Sequence, residues 1–364
     1  MFFMSNHLKL IFAIPDLGSG GAERVVSILT YHLIQKGYDV EILLMFGSEI
    51  KYRIHNNVKI TNLNLFDFPK NKRIGILRSY LKEQKDSHNN IIVFSFQVTC
   101  LKYLLVSKIG LGIKIVSSER NNPYRNGISF WRKMANSIPY ILSDFCVFQT
   151  PDARKYYNLI RHSKCKVIPN PIVESSYKWQ GNNSPGNLIM VCRLAHQKNI
   201  PFALRVIDNL KPQFPNIHLN IYGEGPLKAT LQQTIVEMNL RSNVTLRGLT
   251  NNVQEKMSQS SIFLSTSDYE GISNSMLEAM SVGLPIISTD CPIGGAHMML
   301  SKGAGVLVPV GEELTFTNQL RNLLMDTRMA NRLSINAIQE SKHYSPQSIA
   351  NNWSDIILNL KISK

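Results

Sequence analysis

Short apolar runs alternate with longer amphipathic segments along most of the chain. In the first half, the apolar runs predict strands near Lys9–Ile14, Asp39–Met45, Ile91–Phe96, Ile113–Ser117 and Phe145–Gln149. In the second half, they predict strands at Leu188–Cys192, His218–Tyr222, Val244–Arg247, Ile262–Ser265, Pro285–Ser288 and Gly305–Val308. Helical segments lie between the strands, an alternation that is typical of βαβ units. The pattern therefore predicts an α/β protein with two parallel sheets.

A cluster of turn-forming residues separates the two halves. Val167–Ile172 contains two prolines, and Trp179–Gly186 is rich in Gly, Asn and Ser, so both segments break the periodicity. The length of 364 residues also corresponds to about two average domains. We expect a first domain at residues 1–170 and a second at 171–345. The last helix begins at Pro346, and we expect residues 346–364 to pack back on the first domain.

Composition excludes several classes of protein. Hydrophobic residues make up 44% and charged residues 18%, as in globular chains. The five cysteines form no C-x-x-C pair, which argues against a disulfide framework and a cysteine zinc site and favours a reducing compartment. The apolar start of the chain is interrupted by Lys9 and leads into glycines, so it predicts a buried strand rather than a signal peptide. No uninterrupted run of about 18 apolar residues occurs, so we expect a soluble or peripheral protein.

The positive charge is concentrated in the first half. Residues 1–170 hold 24 basic and 11 acidic residues, whereas the remainder holds 16 and 14, within a net charge of +15. The run Pro69–Lys85 predicts a basic amphipathic helix, with Ile74, Leu77 and Leu81 on one side. Such a helix either lies on an anionic membrane or presents a solvated face. A second mixed stretch, at residues 130–142, weakly favours the membrane. No zinc-finger, basic-heptad or RNA-binding signature occurs, so no nucleic-acid partner is expected.

Glycines follow the first predicted strand. Gly18, Gly20 and Gly21 lie between that strand and a helix. Without side chains they allow a ligand to approach the backbone, and the N–H groups of a helix start favour phosphate. A tight turn without a ligand is the alternative. The spacing differs from G-x-G-x-x-G, which argues against a dinucleotide.

The second half carries two cations directly after its first strand. Arg193 and Lys198 follow this strand, at the edge where ligands of open α/β sheets bind. The guanidinium and the ammonium together can neutralise a leaving nucleoside diphosphate without a metal. The next strand ends in a glycine turn that contains Gly223 and Glu224 at the same edge.

The most specific motif is a pair of acids, Glu270 and Glu278, across the start of a helix. Glu270 precedes the helix, and we expect Glu278 about two turns inside it. The helix start offers N–H groups for a phosphate at Gly271, Ile272, Ser273 and Asn274. Glu278 can accept hydrogen bonds from ribose hydroxyls, and Glu270 can reach a sugar. Apolar residues flank Glu278, which disfavours an ordinary surface position.

In this order, the motifs resemble those of the retaining GT-B glycosyltransferases of family four, also called group 1. The resemblance covers nearly the whole chain and rests on Gly20–Arg24, Arg193 with Lys198 and Asn199, Gly223–Pro226, and the Glu270/Glu278 pair followed by Ala-Met. It implies two Rossmann-like, doubly wound domains facing a cleft. The second would hold a nucleotide sugar and the first an acceptor.

The resemblance also implies roles for single residues. Arg193 and Lys198 would bind the diphosphate, Glu278 the ribose, and Glu270 the donor sugar. Transfer would proceed with retention and without a divalent metal. The nucleoside diphosphate sugar would be a co-substrate, and no cofactor is expected.

Two segments depart from the family pattern. Ser117–Asn122 stands where many relatives carry a histidine that faces the donor sugar, so Glu119 takes that place or binds the acceptor. This variant resembles enzymes that extend lipid-linked oligosaccharides for surface polysaccharides such as O-antigen and capsule. Thr289–His297 replaces the commoner Gly-Pro-Arg-Glu turn, and His297 reads as a loop residue rather than a catalyst.

These expectations together describe a hexosyltransferase. It would move a hexose or N-acetylhexosamine, from a UDP-sugar by preference, to a polyprenyl-diphosphate-linked glycan at the cytoplasmic face of the cell membrane. The anionic membrane surface would be a further partner. The alternatives are a soluble acceptor or a donor related to GDP-mannose, a nucleotide-sugar 2-epimerase, and a non-enzymatic basic protein that binds membrane or RNA.

Overall fold

The computed structural model describes residues 8–362 except 19, 121–122, 124–128 and 182–185. Asn121 and Asn122 of the Ser117–Asn122 motif therefore lie outside the described residues, as do part of the expected interdomain loop and the last two residues of the expected C-terminal helix. The chain divides into two compact units. One is formed by the chain up to Pro171 together with the chain from Pro346 onwards, and the other is Ile172–Ser345.

The first unit is built on a parallel sheet. Its strands are β1 (Leu8–Ile14), β2 (Asp39–Leu44), β3 (Lys59–Asn62), β4 (Asn90–Ser95), β5 (Lys114–Glu119), β6 (Phe145–Phe148) and β7 (Cys165–Val167). Its helices before the second unit are α1 (Gly21–Gln35), α2 (Lys70–Ser87), α3 (Val98–Ser107), α4 (Phe130–Ile141) and α5 (Pro151–Tyr156). The strand order is β3-β2-β1-β4-β5-β6-β7. Every residue of β1 is buried, because helices cover both faces of a parallel sheet.

The second unit repeats this plan. Its strands are β8 (Asn187–Val191), β9 (His218–Tyr222), β10 (Val244–Gly248), β11 (Ile262–Ser265), β12 (Ile286–Asp290) and β13 (Val306–Pro309). Its helices are α6 (Ile200–Leu210), α7 (Lys228–Glu237), α8 (Val253–Ser258), α9 (Asn274–Val282), α10 (Gly295–Leu300), α11 (Glu313–Met325) and α12 (Thr327–Ser341). The parallel order β10-β9-β8-β11-β12-β13 reverses direction between β8 and β11. Such a reversal opens a crevice at the carboxyl ends of the two strands.

The last helix, α13 (Pro346–Ile362), belongs to the first unit. Its Trp353 is fully buried, with its ring 5.6 Å from those of Phe94 and Phe96. Lys36, which directly follows α1, donates a hydrogen bond of 2.7 Å to Asn351. Burial of this large aromatic side chain contributes strongly to the attachment, since truncating a buried Trp typically costs about 3–5 kcal/mol.

Helix α2 forms where the basic run predicts it. Leu77 and Leu81 are buried as expected, but Ile74 is 37% exposed and Tyr80 takes part in the buried stripe instead. Lys72 and Lys82 are exposed to solvent. Within the described residues, no helix combines the length and the hydrophobicity needed to cross a bilayer.

Candidate functional site

Lys198 and Glu270 meet at the crevice between β8 and β11. The Nζ atom of Lys198 lies 2.5 Å from both carboxylate oxygens of Glu270, and Ser267 Oγ donates to Glu270 Oε2 at 2.9 Å. The two charged side chains are only 14% and 18% exposed. Two groups that the sequence assigns to different parts of one substrate therefore form a well-shielded ion pair.

The loop that carries Lys198 is fastened to the loop that carries Glu270. Gln197 Nε2 donates to the carbonyl of Tyr269 at 2.9 Å, and the N–H of Asp268 donates to the carbonyl of Gln197 at 3.0 Å. Asn199 Nδ2 donates to Asp268 Oδ1 at 2.7 Å. These bonds cross from one strand end to the other, so the ion pair is held from both sides.

Arg193 lies at the same edge, directly after β8. Its side chain is exposed and, among the described residues, makes no ion pair or hydrogen bond. The adjoining turn packs tightly, because a Cβ on Gly223 would lie 1.9 Å from the carbonyl oxygen of Cys192, at a φ of +143°. Only glycine fits there. Glu224 of this turn pairs with Lys228 at 2.8 Å, and its carbonyl accepts the N–H of Leu194 at 3.0 Å.

Helix α9 begins beside the ion pair. Ser273 caps it, since its Oγ accepts the N–H of Met276 at 3.4 Å. Gly271 and Ile272 connect Glu270 to this cap, so the positive end of the helix lies next to the ion pair along the chain. Glu278 is the fifth residue of α9 and 8% exposed, so it lies just over one turn inside rather than the expected two.

The turn after β12 packs against this helix start. A Cβ on Gly295 would lie 1.8 Å from the carbonyl oxygen of Gly271, so the two backbones touch. Thr289 Oγ1 donates to the carbonyl of Ser267 at 2.6 Å. His297 Nδ1 lies 3.0 Å from Asp290 Oδ2. Asp290 is the last residue of β12. It lies in the Thr289–His297 segment, but the sequence assigned its carboxylate no role.

Two thiols lie near the ion pair. Burial raises the pKa of the Cys192 thiol to about 12, while the nearby Lys198 ammonium acts in the opposite direction. Burial likewise raises the pKa of Cys291 to about 12, and the Glu270 carboxylate adds to this effect. Both thiols are therefore neutral near pH 7 and poor nucleophiles.

The glycine turn of the first unit is surrounded by carboxylates. Gly20 caps α1 and Gly21 is its first residue. The N–H of Gly18 donates to Asp16 Oδ1 at 2.8 Å, and the Glu23 carboxylate lies over Gly20. Burial raises the pKa of Glu23, and Gln97 Nε2 donates to it at 3.3 Å. This environment suits hydroxyl groups better than phosphate, and the role of Gly20 and Gly21 in nucleotide-sugar binding stays a prediction.

Glu119 ends β5 as a buried carboxylate. The hydroxyls of Tyr140 and Tyr157 both donate to its Oε2, the second at 2.8 Å. Burial, with the Glu119 charge as the next cause, raises the pKa of both tyrosines well above the usual value. Glu119 is only 6% exposed, and its carboxylate accepts hydrogen bonds from two phenols inside this unit. A catalytic role for it stays a prediction.

Arg120, the next residue, belongs to the Ser117–Asn122 motif, but the sequence assigned it no role of its own. Its Nε donates to Ser118 Oγ and its Nη1 to Asn170 Oδ1, both at 2.7 Å, and the guanidinium lies over the ring of Phe96 at 5.1 Å. Burial lowers its pKa to about 9. Its position directly after a strand was the available sequence signal.

In the part of the chain that the structure describes, no three His, Cys, Asp or Glu residues converge as a metal site would require. At the site described above, the charges available to a phosphate are the two cations Arg193 and Lys198.

Comparison with known proteins finds similar sequences for the second unit and for the whole chain. Residues 185–326 match the family model described as glycosyl transferases group 1. An α-1,4-N-acetyl-D-galactosaminyltransferase of Campylobacter jejuni, named for a diNAcBac-PP-undecaprenol-linked acceptor, is 26% identical over 97% of this chain and 99% of its own. The amylovoran biosynthesis glycosyltransferase AmsD of Erwinia amylovora is 25% identical over 96% of this chain and 99% of its own.

A solved structure shows the same fold. Anabaena HepE in complex with UDP and glucose superposes with a TM-score of 0.81 over 96% of this chain and 99% of its own, at 15% identity. The two parallel sheets of this chain and its likeness to HepE confirm the fold expected from the sequence. With the family model that matches residues 185–326, the full-length relatives and the ordered motifs, the chain is a glycosyltransferase that resembles group 1 and has the GT-B fold.

Proposed function

We propose that the unit Ile172–Ser345 binds a nucleoside diphosphate sugar, with UDP as the favoured nucleotide, and that the enzyme transfers the sugar with retention and without a metal. The observation that carries this proposal is the shielded Lys198–Glu270 pair at the strand-order reversal. Arg193 follows the same strand, and its side chain makes no ion pair or hydrogen bond within the described residues. A diphosphate needs cations, and this edge supplies two of them. HepE was crystallised with UDP and glucose, and this supports the choice of nucleotide.

The paired residues can still bind different parts of the donor, Lys198 a phosphate and Glu270 the sugar. An ammonium has three donors, so Lys198 can keep its bond to Glu270 and still donate to a phosphate oxygen. Arg193 can present two parallel N–H groups to the diphosphate as charge develops on the leaving group. Glu270, held by Ser267, retains lone pairs that can accept from a sugar hydroxyl. Glu278 in α9 would serve the ribose hydroxyls.

We further propose a polyprenyl-diphosphate-linked glycan as the acceptor, bound by the first unit, in surface polysaccharide biosynthesis. Two Campylobacter relatives are named for undecaprenol-linked acceptors and for α-1,4 transfer, which supports both the acceptor class and retention. The amylovoran enzyme supports the polysaccharide context. The basic residues of the first half and the exposed lysines of α2 favour a position on the cytoplasmic face of the membrane, against anionic lipid.

Nucleotide-sugar binding tests the donor half of this proposal. Thermal unfolding of the full chain is followed with UDP-glucose, UDP-galactose, their N-acetylated forms and GDP-mannose. A ligand present at 100 times its Kd stabilises the native state by about 2.7 kcal/mol. We expect a UDP-sugar to raise the Tm of the native protein and to lose this effect with Arg193→Ala. Unchanged Tm values with every UDP-sugar would contradict the proposal.

Liposome co-sedimentation tests the membrane half. The variant carries glutamine at the four basic positions of α2, which are Lys72, Arg73, Arg78 and Lys82. Each basic residue near an anionic surface contributes about 1 kcal/mol, and salt screens the attraction. We expect weaker binding of the variant to anionic vesicles at low salt, with activity on a short water-soluble acceptor retained. Equal binding of the native and the variant protein to anionic vesicles would show that α2 does not contact the membrane.

A further inference from the structure

The turn after β12 holds a histidine and a carboxylate in contact. Asp290 is the last residue of β12 and His297 the third residue of α10, and His297 Nδ1 lies 3.0 Å from Asp290 Oδ2. This contact fixes the orientation of the imidazole ring through Nδ1. The Nε2 atom has no hydrogen-bond partner in the described part of the chain, and the side chain is 62% exposed. The imidazole is thus oriented on one side and open on the other.

This turn has a single, strained position. Ile293 is β-branched and buried, yet it has a φ of +86°, a conformation that costs energy for such a residue. The next glycines complete the bend, and Gly295 touches the carbonyl of Gly271. Strain of this kind persists only where the surroundings fix the backbone. The turn that joins Asp290 to His297 is therefore held, through Gly295, against the segment that follows Glu270.

Charge changes sign along this edge of the sheet. The end of β8 carries Arg193 and Lys198, the end of β11 carries Glu270, and the end of β12 carries Asp290 with His297. The cationic end suits a diphosphate. An oriented imidazole next to a carboxylate suits a neutral polar group that can donate to Nε2, such as a sugar hydroxyl.

We propose that His297, positioned by Asp290, forms a hydrogen bond with a hydroxyl or N-acetyl group of the donor sugar and so contributes to the choice of sugar. This inference rests on the proposed function and deepens it. The commoner family turn carries a glutamate at the end of this segment, whereas the imidazole offers a ring nitrogen that can form a hydrogen bond with a hydroxyl. His297 is then a specificity-determining residue and Asp290 a positioning residue.

Calorimetric titration of the full chain separates contacts to the sugar from contacts to the nucleotide. The ligands are UDP alone and the UDP-sugar that the native protein binds best among UDP-glucose, UDP-galactose and their N-acetylated forms. With His297→Ala we expect the Kd of the UDP-sugar to rise about fivefold, the value of one hydrogen bond, and the Kd of UDP to stay unchanged. His297→Gln, which keeps a polar terminal group, should restore part of the loss, and Asp290→Ala should lose less than His297→Ala.

The control is His343→Ala, another exposed histidine of the same unit, which should bind both ligands as the native protein does. Steady-state kinetics add a second readout. In His297→Ala, the ratio of the kcat/KM values for UDP-glucose and UDP-galactose should move closer to one. The inference is overturned if His297→Ala binds the UDP-sugar as tightly as native protein, or if it loses UDP affinity to the same extent. If the native protein binds no UDP-sugar, the proposed function itself fails, and this inference with it.

Discussion

Replacement of Lys198 by methionine isolates the energetic weight of the central ion pair. Two unit charges about 3 Å apart attract by roughly 5–6 kcal/mol at an effective dielectric constant of about 20. Desolvation of both groups offsets part of this attraction. Because the partners are only 14% and 18% exposed, removal of the ammonium leaves Glu270 largely shielded and uncompensated. We expect Lys198→Met to cost about 3 kcal/mol, at the lower end of the range for buried pairs.

The assay is thermal unfolding without nucleotide, in which a loss of this size lowers the Tm by about 6–12 °C. Adding Glu270→Gln to Lys198→Met should recover most of the stability, because the remaining group is then neutral and still accepts from Ser267. The matched control is Lys228→Met, which breaks an exposed pair of 2.8 Å in the same unit and should cost under about 1 kcal/mol. Equal Tm values for the two single variants, or failure of Glu270→Gln to rescue, would refute the reasoning.

Three further outcomes follow from the site. Glu278→Ala should mainly raise the Kd of UDP, whereas Glu270→Ala should mainly lower kcat, by about 10²-fold; equal loss of UDP affinity in both would contradict the division of roles. Gly223→Ala should lower the Tm because its Cβ would meet a backbone carbonyl at 1.9 Å, and a native Tm would show that the turn can shift. Ellman's reagent at pH 8 should modify Cys165 first, because burial raises the pKa of Cys192 to about 12. Equal labelling rates for these two thiols would show that Cys192 is not shielded.

The sequence predicted the buried strands of the fold well, and the reason is physical. A central parallel strand such as β1 is covered on both faces, so it must be an apolar run and is visible as one. The edge strands β3 and β7 were missed because they are three to four residues long and none of their residues is buried. Strand order could not be read from the chain, since it depends on which strands pair across long sequence distances.

The candidate site divides in the same way. Arg193, Lys198 and Glu270 stood out because each follows a strand at the edge where ligands bind. The pairing of Lys198 with Glu270 could not be predicted, because this contact joins residues from different βα units. The surroundings of Glu119 were equally invisible in the sequence, since the two tyrosines that donate to its carboxylate come from later in the chain. Its role stays a prediction.

The anomeric configuration of the product tests the central claim, transfer with retention, most directly. The native protein is incubated with its preferred UDP-α-sugar and an undecaprenyl-diphosphate-linked glycan in the presence of EDTA, and NMR of the purified product gives the anomeric configuration of the new linkage. The account predicts an α-linked product formed at full rate despite the chelator. A β-linked product, a requirement for added metal, or release of an epimerised sugar nucleotide without transfer would contradict it.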